Sequence, residues 1–155
     1  MTRAACKAAA RKAALAARKQ AHDSGVGTTV HLNRVLQSCR GMPLAGYMAL
    51  RTEIDPIPAM QEAAAYGPVC LPVIVGNREA LKFRQWTPGC PMTCGEFGPR
   101  IPESGAWIDP EVLIVPLVAF SRQGGRLGYG GGFYDRTLEG LRARGRTLAI
   151  GFAYA

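Results

Sequence analysis

Residues 116–135 read PLVAFSRQGGRLGYGGGFYD, and this stretch indicates the fold more clearly than any other part of the chain. Six of the nine residues from 124 to 132 are glycine. An apolar run, residues 112–118, precedes the glycines, and a segment with helical character, residues 133–144, follows them. A strand, a glycine loop and a helix in this order present backbone N–H groups and a helix N-terminus to a phosphate group. The stretch therefore predicts a nucleotide or polyphosphate site.

The glycine loop differs from the two common nucleotide-binding motifs. A P-loop requires Gly-x-x-x-x-Gly-Lys followed by Ser or Thr, and this loop contains no lysine. A dinucleotide-binding motif requires Gly-x-Gly-x-x-Gly, and counting from Gly128 the third glycine position holds Phe133. The backbone mechanism of anion binding remains, and Arg122 and Arg126 add positive charge to it.

Side chains among the glycines distinguish this loop from a flexible surface turn, which is the alternative for glycines alone. Tyr129, Phe133 and Tyr134 lie between or directly after them. Asp135 falls in the first turn of the predicted helix, where a carboxylate stabilises the helix N-terminus. The same carboxylate could hold Mg²⁺ beside a triphosphate. From the residues alone, stabilisation of the helix end is the favoured interpretation of Asp135.

The N-terminal segment predicts a basic helix. Residues 3–20 are mostly alanine, arginine and lysine, which are strong helix formers. The segment shares its basic, acid-poor composition with transit peptides, but its helix-forming residues favour a folded helix. Lys7, Arg11 and Arg18 recur at spacings of four and seven and so share one helical face. That face is either solvated or directed at a bound phosphate.

Strands and helices alternate along the rest of the chain, which predicts an α/β fold with a largely parallel sheet. A helix is predicted up to residue 39, and a shorter one is predicted to begin with Asp55 as N-cap and Pro56 at its first position. Pro72 places its strand near a sheet edge or delays its start. Residues 87–110 form a long loop of the kind that often covers a binding site. Strands are predicted at residues 44–50, 69–75, 81–86, 112–118 and 148–154.

Glu53 follows the predicted strand at residues 44–50, on the side of an α/β sheet where ligands bind. The alternative for this glutamate is an exposed position on the surface. Trp86 is a candidate either for the core or for packing against a ligand.

Composition limits the class of partner. The chain has 155 residues, as expected for one domain, and a net charge of +8 that favours anionic partners. A nucleic-acid-binding protein is one such alternative, although no nucleic-acid-binding motif occurs. Cys90 and Cys94 have no histidine nearby, so we expect reduced thiols and no zinc site.

The segment GGRLGYGGGFYDRTL, residues 124–138, resembles the signature of the 5-formyltetrahydrofolate cyclo-ligases, also called 5,10-methenyltetrahydrofolate synthetases. The similarity extends over LIVPLVAF at 113–120, PVIVGNREALKFRQWTPG at 72–89 and LAIGFAYA at 148–155. It covers almost the whole chain and is closest to bacterial members. The resemblance implies a Rossmann-like three-layer fold with helices on both faces of a largely parallel sheet.

The resemblance also implies an ATP-dependent ligase that converts 5-formyltetrahydrofolate to 5,10-methenyltetrahydrofolate and releases ADP and phosphate. In this reaction the formyl oxygen attacks the γ-phosphate, and N10 then displaces phosphate from the phosphorylated imidate. Mg²⁺ is the implied metal, and a cytoplasmic location is implied. We expect a monomer without nucleic-acid or membrane partners.

Site residues follow from the same resemblance. Arg126 and Tyr134 are expected to act in catalysis, and Asp135 is expected to hold the metal. The expected ATP site contains Lys7, Arg11, Arg126, Leu127, Gly128, Tyr129, Gly130, Gly131, Gly132, Phe133 and Tyr134. The expected folate site contains Arg11, Met48, Glu53, Tyr129, Gly130, Gly131, Gly132 and Phe133.

One departure from the family pattern concerns the end of the chain. Family members usually continue beyond the final strand with a further strand and a second metal-binding aspartate. We therefore expect residues 1–155 to form a single domain that is incomplete at its C-terminus relative to the family. A non-catalytic protein that binds nucleotide or folate on the same fold is the alternative function.

Overall fold

A computed structural model describes all residues, Met1–Ala155. The chain forms four α-helices and nine strands, and a short 3₁₀-helix, Gln37–Cys39, follows the second α-helix. The helices are α1 Arg3–Asp23, α2 Val30–Leu36, α3 Ile57–Ala64 and α4 Phe133–Arg144. The strands are β1 Leu44–Ala45, β2 Val69–Val73, β3 Lys82–Trp86, β4 Met92–Cys94, β5 Arg100–Pro102, β6 Val112–Pro116, β7 Ala119–Phe120, β8 Arg126–Leu127 and β9 Leu148–Phe152.

Five strands form the central sheet in the order β3-β2-β1-β6-β9. β1 lies in the middle and pairs in parallel with β2 and with β6, so that Leu44 is opposite both Val69 and Val112. β9 continues the parallel arrangement next to β6, and only β3 runs antiparallel, beside β2. The predicted largely parallel sheet is therefore confirmed.

The two faces of the sheet carry separate apolar clusters, as period-2 alternation of strand side chains requires. On one face, strand residues such as Leu44 and Val112 pack against α2 and α3, where Met60 is fully buried. On the other face, strand residues such as Leu113 pack against Leu138 of α4. Helices thus cover both faces, and the predicted three-layer architecture is confirmed.

The first sheet strand is much shorter than predicted. A strand was expected over residues 44–50, but β1 ends at Ala45 and the chain then leaves the sheet. The Tyr47 hydroxyl donates to the Ile54 carbonyl at 2.5 Å, and the Glu53 carboxylate accepts the Leu50 N–H at 2.8 Å. These side-chain hydrogen bonds stabilise a loop where strand pairing was expected. The apolar residues after Ala45 therefore belong to this loop and not to the sheet.

Two further expectations about local structure need correction. α3 begins at Ile57 with Pro56 as its N-cap residue, although the Asp55 carboxylate still accepts the Ile57 N–H at 2.9 Å. β2 is an internal strand and lies away from the sheet edge. Pro72 is tolerated there because the short β1 pairs only with the first two residues of β2, which leaves Pro72 paired with β3 alone.

Hairpins occupy two regions that the sequence indicated as loops. β4 and β5 pair antiparallel within residues 87–110, and β7 and β8 pair within the glycine-rich segment. Their strands are only two or three residues long, so no period-2 pattern can develop. None of the helices combines the length and the apolar character that are needed to span a bilayer.

We predict opposite effects on stability for two glycine-to-alanine substitutions. A Cβ at Gly67 would lie 2.9 Å from the backbone of Gly41, so Gly67→Ala forces two chain segments apart. We expect the free energy of unfolding to fall by roughly 1–3 kcal/mol. Gly140→Ala, inside α4 with its nearest neighbour 3.9 Å away, should raise it by about 0.5–1 kcal/mol. Urea unfolding followed by circular dichroism measures both, and equal effects would contradict the packing argument.

Candidate functional site

A cleft of about 480 Å³ opens where the parallel strands of the sheet end. Tyr47 follows β1, Pro116 ends β6, and Ile74 follows β2, and all three line the cleft. Ligands of open α/β sheets bind at this carboxyl end, where loops replace the sheet. The position of the cleft is therefore the one that the fold favours for a ligand.

The structure brings the predicted site residues together in this cleft. Lys7 and Arg11 reach it from α1, Met48 and Glu53 from the loop after β1, and the rest from the glycine segment. The lining from that segment comprises Arg126, Leu127, Gly128, Tyr129, Gly130, Gly131, Gly132, Phe133, Tyr134 and Asp135. Residues that are more than a hundred positions apart in sequence thus share one cavity.

Trp86 lies elsewhere. Its side chain is 6% exposed and belongs to the apolar cluster on the α2 and α3 face of the sheet. Of the two alternatives for this residue, the structure therefore shows the core position.

Several lining residues were not indicated by the sequence. Phe97, Pro99 and Arg100 come from the β4–β5 hairpin, which the sequence showed only as a long loop. Tyr47 was assigned to a strand that proved shorter. The remaining additions are Leu50, Pro72, Ile74, Leu81 and Pro116. The expected use of residues 87–110 as a cover for a site was the only signal that pointed to the hairpin.

The N-terminus of α4 is open to the cleft. Gly132 is its N-cap residue, with φ of +71°, and no side chain caps the helix. Gly130 also has a positive φ, +99°. Because side chains other than that of glycine are strained in this region, the loop conformation depends on these two glycines. The uncapped first turn leaves helical N–H groups for an acceptor, and the positive end of the helix dipole favours an anion.

Arginine side chains hold the glycine segment by its carbonyl groups. Arg11 of α1 donates from Nε to the Gly128 carbonyl at 2.8 Å, and Arg136 of α4 donates to the Gly131 carbonyl at 2.8 Å. The loop is thus tied both to α1 and to its own helix. Each of these arginines keeps further donors that can bind an anion.

Arg126 and Asp135 form an ion pair at the cleft, with Nη2 to Oδ1 at 3.0 Å. The Asp135 side chain is 81% exposed, whereas that of Arg126 is 22% exposed. Because the Asp135 carboxylate is exposed to water, the pair contributes little to stability, and its partners can exchange for a ligand at low cost. The guanidinium of Arg126 also lies 5.8 Å from the ring centre of Tyr134.

A metal at this site would be held mainly by its ligand. No three His, Cys, Asp or Glu side chains lie together as a metal-binding group. Mg²⁺ is commonly bound by one or two carboxylates together with substrate phosphates. The exposed Asp135 carboxylate beside the open N-terminus of α4 suits that arrangement, and a metal held by protein side chains alone does not fit the residues present.

Glu53 forms a buried anionic position at the other side of the cleft, since its residue is 6% exposed. Burial raises the pKa of its carboxyl above the ordinary value, while the Leu50 N–H bond and the charges of Arg18 and Arg51 act to lower it. Burial also raises the pKa values of Tyr47 and Tyr134, with the Glu53 charge as a further cause. Both phenols are therefore neutral hydrogen-bond donors at physiological pH.

Comparison with known proteins places this geometry in a family. The sequence profile of the 5-formyltetrahydrofolate cyclo-ligase family matches residues 3–154. A 5-formyltetrahydrofolate cyclo-ligase of Haemophilus influenzae is 31% identical over 145 aligned residues. That alignment covers 87% of this chain and 75% of the relative.

Solved structures agree on the fold. The 5,10-methenyltetrahydrofolate synthetase of Aquifex aeolicus superposes with a TM-score of 0.73 at 28% identity, over 96% of this chain and 77% of that one. A 5,10-methenyltetrahydrofolate synthetase of Mycoplasma pneumoniae gives 0.63 at 19% identity, over 96% and 90%, and shows the fold alone. With a cleft that gathers the family's signature residues and a family profile that spans nearly its whole length, the chain belongs to the 5-formyltetrahydrofolate cyclo-ligases, a family of ligases.

Proposed function

We propose that this protein catalyses the ATP-dependent cyclisation of 5-formyltetrahydrofolate to 5,10-methenyltetrahydrofolate, with release of ADP and phosphate. One observation carries the proposal: a single cleft joins an open helix N-terminus and several cations to a buried carboxylate and apolar side chains. The reaction requires contact between an anionic substrate, ATP, and a heterocyclic substrate, the folate. We infer the type of reaction from the family to which the chain belongs. The two core clusters share one sheet, which supports our proposal that residues 1–155 form a single domain. We further propose that the protein acts as a monomer in the cytoplasm.

The phosphates of ATP would bind at the glycine segment. The first-turn N–H groups of α4 supply neutral donors, while Lys7, Arg11 and Arg126 supply positive charge. A phosphate oxygen that replaces Asp135 on Arg126 would gain a charge-assisted hydrogen bond, and the planar guanidinium permits two such bonds. Mg²⁺, held by Asp135 and phosphate oxygens, would supply further neutralisation of phosphate charge.

The folate would bind on the side of Glu53 and Met48. The buried carboxylate of Glu53 keeps one oxygen free after Oε1 accepts the Leu50 N–H, so it can accept N–H donors of a pterin ring. Met48 supplies a soft apolar surface against an aromatic ring, and Phe97 from the β4–β5 hairpin faces the same cleft. Tyr129 and Phe133 lie between this side and the phosphate side.

The chemistry requires activation of an amide carbonyl, which is otherwise a poor electrophile. The formyl oxygen attacks the γ-phosphorus, the bond to the β–γ bridging oxygen breaks, and ADP leaves. The N5 lone pair forms the C=N bond of a phosphorylated imidate. N10 then attacks the formyl carbon, the C–O bond breaks, phosphate leaves with the bonding electrons, and N10 loses its proton.

Positioning and charge neutralisation are the main demands of phosphoryl transfer. Arg126 would neutralise charge on the transferred group, and the neutral Tyr134 hydroxyl would donate a hydrogen bond to it. Aromatic faces from Tyr129 and Phe133 would exclude water, which protects the imidate from hydrolysis.

The test is the rise in absorbance of the methenyl product when the protein is mixed with 5-formyltetrahydrofolate, ATP and Mg²⁺. We expect Asp135→Asn to lower kcat/KM by about 100-fold, because the variant loses the carboxylate for the metal. The matched control is Asp109→Asn, whose exposed carboxylate pairs with Arg144 away from the cleft.

Asp109→Asn should change kcat/KM less than about twofold, since surface ion pairs contribute little. Absence of turnover by the unaltered protein, together with ATP binding in calorimetry, would overturn the catalytic proposal and support a binding protein. Equal losses in the two variants would contradict the assignment of Asp135.

The buried Glu53 predicts a specific dependence of stability on pH. Its folded-state pKa is raised, so the stability that the neutral carboxyl contributes is present below the unfolded pKa, about 4.3, and is lost as the pH rises through the folded pKa. We expect Glu53→Gln to become more stable than the unaltered protein across this window. The difference should grow by up to about 1.4 kcal/mol per pH unit and then level off.

Urea unfolding at a series of pH values measures this difference. Glu139→Gln, an exposed glutamate on α4, is the control and should show no such window. A Glu53→Gln variant that tracks the unaltered protein at every pH would show that burial does not govern this carboxyl.

A further inference from the structure

We propose that Arg18 is a positioning residue that joins the two sides of the cleft, by holding Tyr129 and by placing a positive charge behind Glu53. This inference rests on the proposed function, because it assigns to Tyr129 and Glu53 the substrate contacts given above.

Arg18 is the only buried residue of α1, with 8% of its surface exposed. Its Nε donates to Thr52 Oγ1 at 2.9 Å, and its Nη2 donates to the Tyr129 hydroxyl at 2.5 Å. A longer contact of 3.5 Å joins Nη1 to the Leu117 carbonyl. Arg18 therefore ties together the helix, the loop after β1 and the glycine segment.

No carboxylate forms an ion pair with Arg18. The four ion pairs of the structure involve other residues, and the acceptors of Arg18 are neutral oxygens. A buried guanidinium that has only neutral partners costs free energy, since it loses hydration without the gain of an adjacent anion. Thr52 and Tyr129 could be satisfied by a neutral side chain, so packing alone does not account for a charge here.

Arg18 acts from behind the cleft wall. It does not line the 480 Å³ cleft, but it lines a neighbouring cavity of about 290 Å³. Tyr47, Glu53 and Pro116 line both cavities and so form the wall between them. Any effect of Arg18 on a ligand in the cleft must therefore pass through the residues that it touches or faces.

Two arginine side chains lie close to the Tyr129 ring. The guanidinium carbon of Arg18 lies 5.5 Å from its ring centre, and that of Arg51 lies 5.7 Å away. Arg51 has φ of +55°, which is uncommon for a residue with a side chain. The Tyr129 side chain is otherwise exposed at 45%, so these contacts determine where its ring stands in the cleft.

Glu53 faces charge from two elements. Arg18 approaches from α1 and Arg51 from the same loop, and both lower the pKa that burial raises. The phenols of Tyr47 and Tyr134 also face it and remain neutral. Arg51 is exposed and screened by solvent, whereas Arg18 is buried, so Arg18 exerts the more persistent field on the carboxylate.

The test compares Arg18→Met, Arg18→Lys and the control Lys19→Met, which removes an exposed charge from the next position of α1. Calorimetry gives the Kd for 5-formyltetrahydrofolate as a function of pH, and an unchanged far-UV circular dichroism spectrum reports an intact fold. Arg18→Met should weaken folate binding about tenfold and move the acid limb of the binding profile up by about one pH unit.

Arg18→Lys keeps the charge but loses the planar fork that reaches Thr52 and Tyr129 together. It should leave the acid limb where it is in the unaltered protein and recover part of the affinity. Lys19→Met should change neither quantity. A purely structural role for Arg18 would lower the melting temperature of both variants alike and would leave the acid limb unmoved.

A measurement that does not depend on turnover tests the role of Arg18 separately from the proposed cyclisation. The free energies of unfolding of Arg18→Met and of the double variant that also carries Glu53→Gln can be compared across pH. The upper end of the window should extend to higher pH, whether or not the protein turns over, because the substitution raises only the folded-state pKa of Glu53. An unmoved window, or an equal movement with Lys19→Met, would overturn the inference for Arg18, while absence of turnover with a moved window would overturn only the cyclisation.

Discussion

The short pairing of β1 is the constraint on which the site depends. β1 contributes two residues to the centre of the sheet, whereas β2 and β6 continue to Val73 and Pro116. Beyond Ala45 the two longer strands no longer share a neighbour, and the sheet opens at its carboxyl end. The loop after β1 crosses this gap, and the cleft lies against it. A full-length central strand would fill the same space with backbone hydrogen bonds.

The gap creates a second requirement, because a loop in the middle of a sheet carries backbone groups that must find partners. Side chains provide these partners. The Tyr47 hydroxyl donates to the Ile54 carbonyl, and the Glu53 carboxylate accepts the Leu50 N–H. Glu53 is therefore both a structural acceptor and the buried acid of the cleft. The Glu53 carboxylate stabilises the loop, and the loop in turn holds this carboxylate next to the ligand space.

Sequence reasoning grouped many of the residues that line the cleft, because much of their information is local. The glycines, Arg126, Tyr134 and Asp135 occur in one continuous motif, so the strand, loop and helix that present them could be inferred together. Helical spacing put Lys7 and Arg11 on one face of α1, and the family resemblance assigned that face to the site. The alternation of strands and helices was likewise sufficient for the three-layer fold and the largely parallel sheet.

What sequence reasoning missed depends on contacts between distant segments. The end of β1 is set by side-chain bonds within the following loop, which no periodicity records. Pro72 indicated a strand near the sheet edge or one that starts late, but the short β1 leaves this position of an internal strand paired on the β3 side alone. The β4–β5 hairpin has strands too short for a pattern, so Phe97 and Arg100 were not expected at the cleft.

Arg18 shows most clearly how a pattern can be read correctly and its consequence missed. It shares a helical face with Lys7 and Arg11, and only these two line the cleft, while Arg18 is buried behind it. The buried cation and the buried carboxylate do not touch. Each reduces the free-energy cost of burying the other only by electrostatic attraction across a region of low dielectric. Such a pair stabilises the fold less than an apolar pair of the same volume would. The presence of these charges, with Glu53 lining the cleft and Arg18 behind its wall, is therefore better explained by the ligand space than by the folding of α1.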